Sequence, residues 1–192
     1  MQNPYLSITN LKFNKMTDAQ KSLSKGLIRL CNKKPVYKIS VKELIQESNV
    51  ARSTFYIYYQ NIDELLEDIE NYHIFKLINL NKYVMNPEIK SEEYVQYYKA
   101  TIDYVKNHRD IFYVFLITNI NNRFIKKWKD GIKYHLLERK NHLYNTENCN
   151  LILEMVASQI IAAYTFWLTN PDEVNPNSLD KIVSQTLKSI EI

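Results

Sequence analysis

Between Ser40 and Glu64 the chain carries two helix-start signals with a tight-turn residue midway, and this arrangement leaves little freedom in how the region folds. Ser40-Val41-Lys42-Glu43 has the spacing of a capping box, in which the first and fourth side chains satisfy exposed backbone N–H groups at a helix start. Asn61-Ile62-Asp63-Glu64 offers a second cap of the same length. Asn49, between them, tolerates the left-handed backbone that a sharp turn between helices needs. Two short helices must therefore fit between the caps. One runs from Ser40 to about Ser48 with Val41, Leu44 and Ile45 inward, and the next from about Ala51 to about Tyr58. Upstream, Thr17-Asp18-Ala19-Gln20 opens a longer helix in which Ala19, Leu23, Leu27, Leu30 and Cys31 recur at helical intervals until "NKKP" stops it. Three helices with a tight turn between the second and third have the proportions of a helix-turn-helix unit.

The third of these helices divides into two arcs. At 100° per residue, Arg52, Ser53 and Tyr56 share one side, while Ala51, Phe55 and Tyr58 lie around the other. Phe55 is expected in the core and the first arc is expected to face outward. Tyr59, at the helix end, can fold back under the unit. Charge agrees with an outward polar face: residues 12–62 carry a net +7 within a chain of net +4, so the remainder is slightly acidic. A basic small unit on an acidic larger one is expected when the first meets phosphate.

The stretch "ISVKELIQESNVARSTFYIYYQNIDELL" resembles the DNA-binding signature of TetR-type bacterial transcriptional regulators. It pairs a capped helix with a valine-containing turn, a short helix ending in spaced aromatics and a capped helix after it. The match covers about 50 residues. Asn49 stands where that family usually has glycine, and Ile62 where it often has a lysine that meets phosphate. The resemblance implies an all-α protein of about nine helices, with a DNA-binding domain at 1–62 and a helical effector-binding and dimerisation domain at 63–192. It implies a homodimer on a double-stranded, pseudo-palindromic operator, acting as a ligand-responsive repressor and needing no cofactor. Arg52 is the first candidate for reading a base, and Ala51, Ser53 and Thr54 stand beside it. Ser40 with the start of the second helix offers an anion site. By resemblance Tyr56 and Tyr58 bond phosphates, and Lys15 and Lys38 add charge.

Two glycines and five prolines in 192 residues leave little material for β-turns, which agrees with an all-α chain. Ser91-Glu92-Glu93 caps a fifth helix, "RDIFYVFLI" is short and apolar, and residues 121–142 are long and mixed. Residues 150–169 are apolar nearly all round, and Leu179, Ile182, Val183, Thr186, Leu187 and Ile190 follow as one stripe. Such a pair can form a four-helix bundle with its two-fold copy, through Ala157, Ile161, Ala162 and Thr165 on the first helix and Ile182, Val183, Thr186 and Leu187 on the second. An intramolecular hairpin is the alternative.

Beyond residue 70 there are 17 aromatics, and Tyr72, Phe75, Tyr97, Phe115, Phe124, Trp128, Tyr164 and Trp167 are candidates to line a cavity for a small apolar or aromatic effector. Packing core is the competing role for the same residues. Histidines 73, 108, 135 and 142 are scattered, with no metal spacing and no nucleophile, acid–base or phosphate-loop motif, so neither enzyme nor metal site is expected. Cys31 and Cys149 read as reduced packing residues. Apolar runs such as "MVASQIIAAYTFWL" read as too short or too polar to cross a membrane, and the amino terminus has no secretory pattern, so the cytoplasm is the expected compartment. Two other readings stay open: an interaction protein without direct DNA affinity, and a helical enzyme or small-molecule carrier using the aromatic half.

Overall fold

The structure, a computed structural model, describes residues 3–11, 16–81, 94–139 and 144–188. These residues form helices α1 (Asp18–Cys31), α2 (Val41–Ser48), α3 (Arg52–Tyr58), α4 (Ile62–Asn81), α5 (Tyr94–Asn107), α6 (Arg109–Tyr113), α7 (Asn122–Arg139), α8 (Cys149–Thr169) and α9 (Pro176–Lys188). Short 3-10 turns at Leu6–Asn10 and Val36–Lys38 and a π-helical turn at Val114–Thr118 accompany them. No strand occurs among the described residues. The expected cap of α5 at residues 91–93 lies outside them.

The helix starts follow the cap chemistry. Thr17 and Ser40 each accept from the backbone N–H three residues on, while Gln20 and Glu43 reach back to the cap N–H, closing both boxes. Asn61 accepts from Glu64 N at 2.9 Å and so starts α4. Asn49 takes the left-handed conformation at φ 52° and turns the chain from α2 toward α3. α3 begins at Arg52, with Ala51 extended as its cap residue.

α1 to α3 enclose Leu23, Leu27, Leu44 and Phe55, all fully buried. α1 and α2 meet at Gly26, where an added Cβ would lie 2.9 Å from Ser48 Cβ. Salt bridges brace the same pair, Arg29 with Glu47 and Lys34 with Glu43. Tyr59 is buried, accepts from Gln20 Nε2 at 3.1 Å and donates to Asp68 at 2.6 Å, tying α1 and the end of α3 to α4. Burial and the Asp68 carboxylate hold its phenol well above the ordinary range.

α4 continues from this unit into the larger domain, where it packs on α5 and α7. A polar knot marks the crossing. Glu70, completely buried, accepts from Arg123, Lys127 and Asn121, and Arg123 also bridges to Asp63 in the first turn of α4. Residues 3–11 lie against the larger domain rather than the small one. Asn3 donates to Tyr134 O and Glu138 of α7, and the Lys133 ammonium stands 5.2 Å over the Tyr5 ring.

α8 overturns one expectation. Cys149–Thr169 spans 21 residues with a mean hydropathy of 1.6 in its most apolar window, so by length and composition it could cross a membrane. Here it is a core helix: Leu153, Val156, Ala157, Ile160, Ile161, Tyr164, Trp167 and Leu168 are buried. Cys31 is buried and Cys149 half-buried, both as free thiols, and burial pushes the Cys31 thiol up to about 11.

Candidate nucleic-acid interface

α3 spans seven residues, barely two turns, and only Phe55 enters the core. Its ring meets Tyr56 edge-on at 5.2 Å and Tyr59 at 6.0 Å, so one buried side chain fixes how the helix is rolled. Arg52, Ser53 and Tyr56 are exposed and Thr54 is half-buried. The Arg52 guanidinium stands 5.6 Å over the Tyr56 ring, one turn later. That contact limits the rotamers of Arg52 and aims it away from the core.

The wheel placed Ala51 and Tyr58 with Phe55, and the structure corrects this. Both are exposed, because a helix this short touches the core only at its middle. Ala51 and Tyr58 thus join the outward surface. Two exposed residues were not singled out in the sequence: Ile57 at 73% and Tyr37 at 80%. Apolar character argued for burial in both cases. The signal that could have found them is position, since Ile57 follows Tyr56 on the outward arc and Tyr37 lies between "KKP" and a cap.

Ser40 is exposed at the start of α2, but its hydroxyl and N–H both donate to Glu43, at 2.8 and 2.9 Å. The Glu43 carboxyl is held down at about 2 by the Lys34 ammonium and then by Ser40. An internal carboxylate therefore occupies part of the place expected for phosphate, and a DNA phosphate must share that helix end with it. Basic residues divide accordingly. Lys21, Arg29, Lys33 and Lys34 are paired with carboxylates, whereas Lys38, Lys42 and Arg52 are exposed beside α2 and α3, with the Lys38 ammonium 5.9 Å from the Tyr37 ring. Lys15 lies outside the described residues. Ile62 is half-buried against the core at the first position of α4.

In the larger domain the predicted aromatics do gather. Phe115, Phe124, Trp128, Tyr164 and Trp167 are buried, with successive ring centroids 4.9 to 6.4 Å apart. Rings so spaced fill the space between them. Phe112, which no sequence pattern marks out, is the hub that joins Phe124 and Trp128 to His73 and Tyr104. Tyr72 and Phe75 are half-buried on α4, and the side chain of Tyr97 lies outside the description. A cavity of about 260 Å³ lies between the end of α1, the loop after it, the start of α4 and residues 114–123, lined by Cys31, Val36, Leu66, Asn119 and Arg123 among others, and Phe115 is the member of the predicted set that lines it.

Of the predicted dimer residues, Ala157, Ile161 and Val183 are buried within the protomer, so they face its own core. Ala162 and Ile182 are exposed, Thr165 is half-buried, and the side chains of Thr186 and Leu187 lie outside the description. The outward face of α8 is a different stripe: Leu151, Met155, Ala162 and Phe166, with the polar Gln159 among them and Ile182 of α9 also exposed. Spacing alone could not choose between faces of a helix apolar all round.

No family model matches the chain. The HTH-type dhaKLM operon transcriptional activator DhaS of Lactococcus lactis subsp. lactis is 25% identical over 183 residues, spanning 91% of this chain and 90% of that protein. Among solved structures, the fatty acid degradation regulator FadR of Bacillus halodurans superposes with a TM-score of 0.71 at 15% identity, over 93% of this chain and 99% of that one. A protein from Syntrophomonas wolfei described as a TetR-family transcriptional regulator gives a TM-score of 0.67 at 14% identity, over 90% and 94%. The chain has the fold of the TetR-family regulators. The dihydroxyacetone kinase operon activator DhaS shares this TetR-family fold, with a TM-score of 0.58 at 20% identity over 90% of this chain and 93% of that one. All three solved relatives and the curated one are regulators rather than enzymes.

Proposed function

We propose that the protein is a sequence-specific, double-stranded-DNA-binding regulator of transcription that works in the cytoplasm as a homodimer. The observation that carries this reading is α3 itself: one buried phenylalanine anchors a helix whose other side presents Arg52, Ser53, Tyr56 and Tyr58. A two-fold dimer places two such helices on half-sites about 34 to 36 Å apart or slightly more. The exposed α8 stripe with Ile182 supplies a self-complementary apolar face for that dimer. A small apolar effector binds against α4, which borders the described cavity through Asp63 and Leu66, and displacement of α4 carries the small unit with it. By linkage, operator and effector then change each other's affinity by the same factor.

Repression is the sequence-based expectation. The role of the Lactococcus relative as an operon activator favours a second reading in which the bound dimer switches transcription on. A reporter driven by the protein's own upstream DNA separates the two, since deletion of the protein raises output in the first case and lowers it in the second. Fluorescence anisotropy on that DNA, across salt concentrations, tests the common part. Affinity should fall steeply with salt, and a protein that binds no duplex at low salt is not a DNA-binding regulator.

A further inference from the structure

We propose that Asn119, a residue of the larger domain, is a positioning residue for DNA binding: it holds the phosphate-facing loop 32–40 in place without itself being part of the DNA-facing surface. The proposal rests on the DNA-binding reading above and deepens it.

Asn119 follows the π-helical turn, and its own backbone is fixed there, its N–H donating to Val114 O at 2.8 Å. Its side chain crosses to the small unit. Nδ2 donates to Cys31 O at the end of α1 and to Lys34 O at 3.3 Å, while Oδ1 accepts from Val36 N at 2.8 Å. A helix end leaves carbonyls without partners, and this amide meets one of them and two groups of the loop beyond it. Only a primary amide puts two donors and an acceptor on neighbouring atoms without charge, and glutamine is one methylene too long for the same fit.

What the clasp holds is the segment that faces DNA in this reading. Between the buried Cys31 and the buried Ile39 the loop carries Tyr37, 80% exposed, and Lys38, with Ser40 directly after. Its internal bonds, Lys38 N to Pro35 O and Ile39 N to Val36 O, stiffen the turn but do not attach it to the rest of the protein. The Lys33–Glu47 and Lys34–Glu43 ion pairs tie its first half to α2 through side chains, and Asn119 adds the backbone clasp at both ends of the segment that precedes Tyr37. Without it the backbone around Val36 loses its tie to the larger helical part, and the freedom regained there must be removed again at each encounter with DNA, which costs affinity. Because the contacts at stake are to phosphate, the loss should be independent of sequence.

The test compares wild type with Asn119→Ala, Asn119→Asp and Val36→Pro. Proline removes the one N–H that Asn119 accepts, and Pro35 before it already has the extended ψ of 141° that a following proline requires. Each variant should bind the upstream duplex and a scrambled duplex roughly tenfold more weakly, by the same factor on both. Asn119→Ala combined with Val36→Pro should lose no more than the larger single effect. Amide exchange at Val36 should quicken in Asn119→Ala while exchange in α4 and α8 stays as in wild type. If Asn119→Ala does not fold, Asn119→Asp, which keeps the acceptor and loses the donors, and Val36→Pro carry the comparison. Wild-type affinity in a folded Asn119 variant overturns the proposal, as does exchange that quickens equally everywhere. Wild-type protein without salt-dependent binding removes the DNA-binding reading itself, and the proposal with it.

Discussion

Arg52 and Phe55 lie three positions apart on one short helix and are built for opposite tasks. Phe55 is completely buried between α1, α2 and the end of α3. Phe55→Ala should cost about 3 to 5 kcal/mol and loosen or unfold the small unit, which thermal melting followed by circular dichroism would record. Arg52 is exposed and stands over the Tyr56 ring, so Arg52→Ala should leave melting nearly unchanged. If Arg52 reads a base, its loss should weaken the preferred operator by about 1 to 3 kcal/mol and relax one position per half-site, and if it meets only phosphate, every duplex should weaken alike. Anisotropy on operator and scrambled DNA decides between these. A folded Arg52→Ala protein with unaltered binding would remove α3 as the reader. Phe55 and Arg52 were legible from their chemistry together with the motif, since three positions at 100° leave them only about 60° apart on the helix. For Ala51 and Tyr58 the wheel and the resemblance disagreed, and Ile57 was not singled out, since periodicity says which residues share a side but not how far along the helix the core extends.

At the scale of elements, cap chemistry made the starts of α1, α2 and α4 legible, because each depends on residues within one turn. The packing between elements was not. Nothing local marked Gly26 as the point where α1 meets α2, yet a Cβ there would press on Ser48 Cβ and on its backbone. Gly26→Ala should therefore push the two helices apart at a cost of about 1 to 3 kcal/mol, despite alanine's better helix propensity. It should also misplace α3 and weaken DNA binding, a combination that differs from Arg52→Ala in lowering the melting temperature. The buried histidines of α4 and α7 were equally invisible. Burial, with His108 nearby, brings His73 down to about 3, and burial brings His135 down to about 4. Both are neutral in the folded protein at neutral pH, while unfolded histidines take up protons below about 6.5. The stability they confer is full above that value and is lost as pH falls from about 6.5 towards 3 or 4. By pH 5 the loss should be about 2 kcal/mol for each. Glu43 and Glu154, held near 2 by their lysine partners, lose their contribution only below the ordinary carboxylate range, so the window between about 6.5 and 4.5 belongs to the histidines. Urea unfolding at pH 7 and pH 5 should show this drop, and His73→Gln should remove about half of it. A stability unchanged between the two pH values would mean that neither histidine is held neutral.

For the whole molecule, the proposed homodimer turns on which face of α8 would meet a second copy. The sequence identified a helix apolar all round beside a striped one, and small residues at Ala157 and Ala162 suggested close approach at both. Only the fold separates them: Ala157 is completely buried inside the protomer, and Ala162 is exposed in line with Leu151, Met155 and Phe166. The two alanines therefore predict different failures. Ala157→Arg forces a cation into the protomer core with no partner provided for it, and should unfold the larger domain. Ala162→Arg leaves that core intact and places the charge on the outward stripe. It should give a folded monomer, with circular dichroism like wild type and half the mass in analytical ultracentrifugation. Such a monomer carries one reading helix instead of two, so its affinity for a two-half-site operator should collapse towards that for a single half-site, while the ratio between correct and scrambled half-sites is kept. Phe166→Asp, one turn further along the same stripe, should behave as Ala162→Arg does. An intact dimer in both variants would move the interface off this face of α8, and monomers that still bind the full operator at wild-type strength would break the link between two-fold symmetry and DNA recognition on which the functional reading depends.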